Sequence, residues 1–288
     1  MNWLRRAVSN VEMKQSDVDG VGLFAQNDFQ PGDLVFLELP LVNTKSNLTC
    51  VSVCDHCLKP LVEGSPSFRC PRQCSDLYCS EICMNESEIL YHRTLCMRNP
   101  NWNAFIDGAR KTSNEYLIMA AKIQVMKMKF IPSWKSFKGK SFETTIRAEN
   151  GDDQTTFEKH IVSHSLEYLG LLRKIIDCFI SDNDWLCLLG MLRMNVVGIQ
   201  ATDAGTCTGF GLYSVHSCLN HNCAPNVQVS LHEIGIQVHA LNHISQGDEL
   251  FIDYLCDSSD RRQQTLLEQY GFICSDQCIC QTFDGISS

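Results

Sequence analysis

The chain has 288 residues, 44% of them apolar, and a formal charge of −9. That apolar share supports one large globular unit rather than disorder, and the acidic balance excludes independent nucleic-acid binding, which needs a basic face. No secretory signal opens the chain and no run reaches the roughly 18 apolar residues of a membrane span, so an intracellular protein, cytoplasmic or nuclear, is expected. In a reducing compartment its 17 cysteines point to metal rather than disulfides.

In chain order, Asp19-Gly20-Val21-Gly22 is a glycine-hinged turn before the apolar run Leu23-Phe24-Ala25. Pro31-Gly32-Asp33 then signals a turn before the strand-like Leu34-Val35-Phe36-Leu37-Glu38-Leu39. Between Cys50 and Cys96 the character changes. Eight of the 17 cysteines fall here with little apolar periodicity, which predicts an insertion where metal supplies what a core cannot. From 114 to 130, Tyr116, Leu117, Met119, Ala120, Ile123 and Met126 recur at helical spacing, with Ser113 as a cap and Pro132 beyond the end. The polar stretch 134–154 reads as a loop. Helices are predicted over 157–180 and 184–194, the latter with Trp185, Leu188, Leu189 and Leu192 on one face. Strand signals return in Leu212-Tyr213-Ser214-Val215, Val227-Gln228-Val229, Ile236-Gln237-Val238-His239 and Leu250-Phe251-Ile252. Trp3, Trp102, Trp134 and Trp185 read as packing residues, Met119, Met126 and Met128 as gap fillers, and Cys178, Cys187, Cys207 and Cys256 as buried thiols.

The insertion carries Cys54-x2-Cys57, Cys70-x3-Cys74, Cys79-x3-Cys83 and His92-x3-Cys96, eight soft ligands in four short pairs. Two tetrahedral zinc ions require that number. Through Tyr78-Cys79-Ser80-x2-Cys83 and His92-x3-Cys96 the segment resembles the MYND zinc finger. That resemblance implies interleaved sites, Cys54, Cys57, Cys79 and Cys83 on one ion and Cys70, Cys74, His92 and Cys96 on the other. It also leaves open a proline-rich peptide as partner of the module, beside a purely bracing role.

Three separated segments share one explanation: Gly20-Val21-Gly22, Asn220-His221-Asn222-Cys223-Ala224-Pro225-Asn226, and Gly247-Asp248-Glu249-Leu250-Phe251-Ile252-Asp253-Tyr254. Together they resemble a SET domain, in which the middle segment threads beneath a loop as a pseudoknot. The resemblance continues into Gln269-Tyr270-Gly271-Phe272 and the post-SET cysteines Cys274, Cys278 and Cys280. A MYND insertion between SET halves is similar to the SMYD family, here without its usual C-terminal helical domain. The implied fold class is α+β, a β-rich SET domain with an inserted double-zinc MYND module, a helical insertion and a short zinc-binding tail. The corresponding divisions are 1–49, 50–96, 97–194, 195–258 and 259–288.

The resemblance implies an S-adenosylmethionine-dependent protein lysine N-methyltransferase, acting on an exposed lysine of a protein such as a histone tail and working as a monomer. The acidic net charge suits such a basic substrate. By motif, Tyr254 is the catalytic tyrosine and Tyr270 a second wall of the lysine channel. Asp19, Gly20, Val21, Asn195, Ser217, Asn220, His221, Tyr254 and Phe272 line the cofactor site. Three tail thiolates leave a tetrahedral ion one ligand short, so Cys223 is expected to complete a third zinc site with Cys274, Cys278 and Cys280. The competing expectation is a non-catalytic adaptor that recruits partners through MYND. The presence of Tyr254, Asn220 and His221 favours the enzyme.

Overall fold

The structure is a computed structural model that describes residues 10–47, 51–62, 64, 67–112, 114–129, 155–176, 179–200, 207–232, 235–255 and 262–274. The expected loop at 134–154, Trp3, Trp134, Cys178, Cys256, Cys278 and Cys280 lie outside the described residues, as does the side chain of Cys207.

Three small sheets frame the molecule. Strands β1 (Val11–Gln15) and β2 (Val21–Ala25) form a hairpin, to which β12 (Glu249–Ile252) adds antiparallel and β9 (Asn220–His221) adds parallel on the far side of β12. The pairing Leu250↔Leu23 and Phe251↔Asn220 thus brings β2, from early in the sequence, and β12, from late in it, beside Asn220–His221. β10 (Val227–His232) and β11 (Gly235–Ala240) pair with β3 (Leu34–Glu38), and β4 (Val42–Lys45) pairs with β8 (Cys207–Leu212) and β7 (Val196–Gln200). Strand alternation sends Leu23, Val35, Val238 and Leu250 into one core, where Ile244, bridged to Phe29, joins them, all fully buried.

The zinc module is a short hairpin of β5 (Phe68–Arg69) and β6 (Leu77–Tyr78) followed by α1 (Glu81–Ser87), which runs on through a π turn over Glu88–His92. It does not stand apart from the body. Tyr91 and Leu95 enter the helical core with α2 (Pro100–Lys111), α3 (Glu115–Lys129), α4 (Thr155–Arg173) and α5 (Asp182–Asn195). Helix α3 is buried nearly all round, Lys122 and Gln124 included, so it is the central post of this half. Trp185 of α5 ties to α4 by donating from Nε1 to the Ser165 carbonyl at 3.0 Å.

Several sequence expectations are corrected. Leu212–Val215 is not a strand: β8 ends at Leu212, and the buried Glu38 carboxylate then accepts from Val215 N–H and His216 N–H, both at 2.8 Å, turning the chain into the 3-10 turn His216–Cys218. The helix expected to Ile180 stops at Arg173, whose guanidinium instead reaches back to the Ile180 carbonyl. Helix α2, unpredicted, starts from the Asn99 cap with Pro100 in its first turn. Cys187 is exposed rather than buried, because it lies on the outer face of α5, and Met128 is 49% exposed.

Candidate active site and metal centres

In the zinc module the ligand atoms of Cys54, Cys57, Cys79 and Cys83 lie within 4.8 Å of one another, as do those of Cys70, Cys74, His92 and Cys96. Sulfur bound at about 2.3 Å in a tetrahedron stands about 3.8 Å from its neighbours, so both quartets have the size of a zinc site. The separations of 3.5 Å for Cys57–Cys79 and 3.6 Å for Cys79–Cys83 and Cys74 Sγ–His92 Nε2 agree. The turns between ligands are made by left-handed backbone at Leu58 (φ 62°) and Gln73 (φ 56°). At the second, the three-residue spacing closes through Gln73 N–H to the Cys70 carbonyl, and Arg98 grips the carbonyls of Arg72 and Gln73. His92 Nδ1 faces the Asp76 carboxylate at 3.2 Å, the partner that keeps Nε2 turned to the sulfurs.

The threaded segment is held from both sides. Asn222 N–H donates to the Ile252 carbonyl, and the Asn226 amide clips β12 by donating to Glu249 O at 2.8 Å and accepting from Phe251 N–H at 2.7 Å. This register brings Tyr254 against Leu219, whose carbonyl accepts the phenol hydrogen at 2.7 Å. The Tyr254 N–H donates to His221 Nδ1 at 3.1 Å. Burial, with Tyr270 and Asp19 adding to it, pushes the Tyr254 phenol above its usual range, so it stays neutral at physiological pH.

Helix α6 (Arg262–Tyr270) completes the site. It stops at Gly271, whose φ of 76° suits glycine and whose N–H caps the Leu266 and Leu267 carbonyls. The reversal folds Tyr270 and Phe272 onto the same ring, with centroids 4.7 Å and 6.3 Å from Tyr254, and sets Phe272 5.7 Å from His221. Arg262 fastens α6 to Asp253 at 2.6 Å and to the Leu255 carbonyl at 3.0 Å.

Of the expected cofactor residues, Asp19 meets Asn220, whose Nδ2 donates to the Asp19 carbonyl at 3.3 Å. Gly20 and Val21 continue that turn into β2, while Ser217 is buried and donates to the Tyr213 carbonyl. Asn195 closes α5 and donates to the Met191 carbonyl, so its described bond serves the helix end. The turn at Asp19, the Asn220 amide and the rings of Tyr254, Tyr270 and Phe272 are thus gathered around one segment. At the tail, Cys223 and Cys274 approach to 3.6 Å, and His221 Nε2 lies 3.2 Å from Cys223, a neighbour that the sequence did not suggest. Glu38, Lys122 and Glu249 also lacked a readable role. The one hint was a carboxylate ending an apolar strand at Glu38.

The family model for the SET domain matches residues 20–255, so the chain belongs to the SET-domain family. Within it, the zinc module set between SET halves is the SMYD arrangement. Protein-lysine N-trimethyltransferase SMYD5 of Danio rerio is 24% identical over an alignment covering 93% of this chain and 86% of that protein. Histone-lysine N-methyltransferase ATXR4 of Arabidopsis thaliana is 27% identical, covering 92% of this chain and 84% of that one. Among solved structures, Rubisco LSMT bound to sinefungin and monomethyllysine matches with a TM-score of 0.51 at 11% identity, a likeness of fold. It covers 96% of this chain, which spans only 55% of that structure's chain.

Proposed function

We propose that this chain is a protein lysine N-methyltransferase that uses S-adenosylmethionine. The observation that carries the reading is the neutral Tyr254 hydroxyl, held by the Leu219 carbonyl inside a wall of Tyr270, Phe272 and His221. Because the hydroxyl gives its hydrogen to Leu219, its oxygen is left as the acceptor. An acceptor there orients a lysine amine and steadies the polarised hydrogens of a methyl group in transfer. S-adenosylmethionine supplies that methyl on a sulfonium centre. Asn220, Ser217 and the backbone at Asp19–Val21 would hold its amino-acid end, and Phe272 its adenine. The amine must arrive uncharged against a reference pKa of about 10.4, and the ring wall favours this by excluding water. A phenol pushed above its usual range is no base at neutral pH, so the site works by positioning.

The relatives named for lysine methylation support the reading, as does the acidic net charge for a basic protein substrate, histone tails included. Three zinc ions are part of the proposal, two in MYND and one on Cys223 and the tail. Incubating the zinc-loaded full chain with labelled S-adenosylmethionine and a mixture of histones and other basic proteins tests it, with methyl-lysine located by mass spectrometry. Transfer to lysine is expected. Tight cofactor binding with no transfer to any protein would favour the adaptor reading instead.

A further inference from the structure

The two glycines of Gly20-Val21-Gly22 sit in different situations. Gly20 has a φ of 51° and open space where a side chain would project, so it serves the backbone turn. Gly22 has no left-handed backbone, yet a Cβ built on it would lie 2.2 Å from Glu249 Oε1, 2.8 Å from Glu249 Cδ and 3.0 Å from Ser16 Cβ. A Cβ there would push the Glu249 carboxylate off the position it now holds. The space is reserved for the carboxylate of Glu249.

That carboxylate joins three parts of the site. Its Oε2 accepts from Ser16 Oγ at 3.0 Å, at the start of the β1–β2 turn, and its Oε1 accepts from Asn220 Nδ2 at 2.7 Å. Asn220 Nδ2 also reaches the Asp19 carbonyl at 3.3 Å. Both neighbours of this nitrogen are pure acceptors. A flipped amide would set its own oxygen against a carboxylate and a carbonyl, so one orientation is enforced. The amide that the methyl-transfer reading places on the cofactor wall is thereby held in one orientation.

We propose that Glu249 is the positioning residue of this wall, fixing the Asn220 amide and the Asp19 turn as one unit, and that Gly22 is glycine because Glu249 needs its side-chain space. The inference rests on the methyl-transfer reading, and the test separates the two. Binding of S-adenosylhomocysteine to the zinc-loaded full chain is measured by calorimetry for wild type, E249Q, E249A, G22A and the G22A/E249A double variant. Melting curves serve as the folding control. E249A is expected to weaken binding at least ten-fold, whereas E249Q, which keeps an oxygen for Asn220 and gains a donor for Ser16, stays within about three-fold. G22A alone weakens binding and lowers the melting temperature. In the double variant the clash is gone, so its melting temperature recovers and its binding is no weaker than that of E249A. In turnover, the KM for cofactor rises in E249A while kcat and the KM for the protein substrate move little, a split that a general loss of structure does not give. Should E249A fail to fold, E249D, whose carboxylate is one methylene short, gives the same reading. Wild-type binding with unchanged affinity in E249A or E249D, or losses that multiply in the double variant, would overturn this inference alone. No binding by wild type would overturn the methyl-transfer reading and this inference with it.

Discussion

Residues 51–96 and the threaded segment from Leu219 to Asn226 are both short, irregular and without a core of their own, yet they keep their shape by different means. The first gathers eight candidate zinc-ligand atoms drawn from pairs close in sequence, with left-handed turns at Leu58 and Gln73 beside them. The segment Leu219 to Asn226 relies on partners far along the chain: β12, the Asp19 turn, Glu249 and Arg262 of helix α6. Ligand pairs lying close in sequence let the first region be shaped largely by its own residues, with Tyr91 and Leu95 joining it to the helical core. Remote bonding makes the second a product of the finished fold.

Removing metal breaks this comparison most severely, since a structural zinc in a small module contributes on the order of 10 kcal/mol. With a strong chelator, amide exchange should accelerate throughout 52–96, and also in α3, which shares the core with Tyr91 and Leu95. The Leu23 and Leu250 amides of the β2–β12 pair should stay protected. Loss of protection in both regions together would show that they are one cooperative unit.

Next in size is Cys223→Ser. Metal analysis should count about two zincs per chain in place of three, with cofactor affinity falling at least ten-fold as Phe272 and Tyr270 lose their tether. An unchanged count with full affinity would remove Cys223 from the metal set.

Docking of the module is tested by Lys122→Met. This buried ammonium of α3 donates to the Asn43 carbonyl at 2.9 Å and lies 4.5 Å over the Tyr91 ring, while Asn43 in turn donates to the His56 carbonyl inside the module. Desolvation lowers its pKa to about 8, and Asp55 and Asp76 nearby favour its charge. Methionine keeps the apolar stem and loses the bonds, so stability should fall by about 2 kcal/mol in denaturant melts. Zinc should also leave faster to a chelator. A melt indistinguishable from wild type would mean that the apolar contacts of Tyr91 and Leu95 suffice for docking.

The smallest effect is expected at Gly271→Ala. Alanine at a φ of 76° costs about 1 kcal/mol, which global melting should register as a shift of a few degrees at most. Because Tyr270 and Phe272 flank the reversal, cofactor affinity should drop more than stability does. A larger loss of stability than of affinity would place Gly271 in folding rather than in the site.

The same contrast explains what could be read in the sequence. The zinc ligands were legible because each pair lies within one turn, and the threaded segment because Asn220 to Asn226 spell a recognisable motif. The capture of Val215 by Glu38, which spoiled the predicted strand at Leu212–Val215, joins residues 177 apart. The contact that explains Gly22 joins Ser16 to Glu249 across 233 positions. No window of sequence contains both members of such pairs. Helix α3 showed its period through Leu117, Ile123 and Met126, but the all-round burial that draws in Lys122 depends on the docked module.

The role proposed for Tyr254 is positioning, and Tyr254→Phe tests it. Single-turnover methyl transfer from labelled S-adenosylmethionine and calorimetry with S-adenosylhomocysteine are measured on the same preparation. Deleting one hydroxyl aimed at the reacting atoms should cost about 3 kcal/mol at the transition state, a fall of about two orders of magnitude in rate, with cofactor affinity within a few-fold of wild type. Near-normal transfer by the phenylalanine variant would contradict the account.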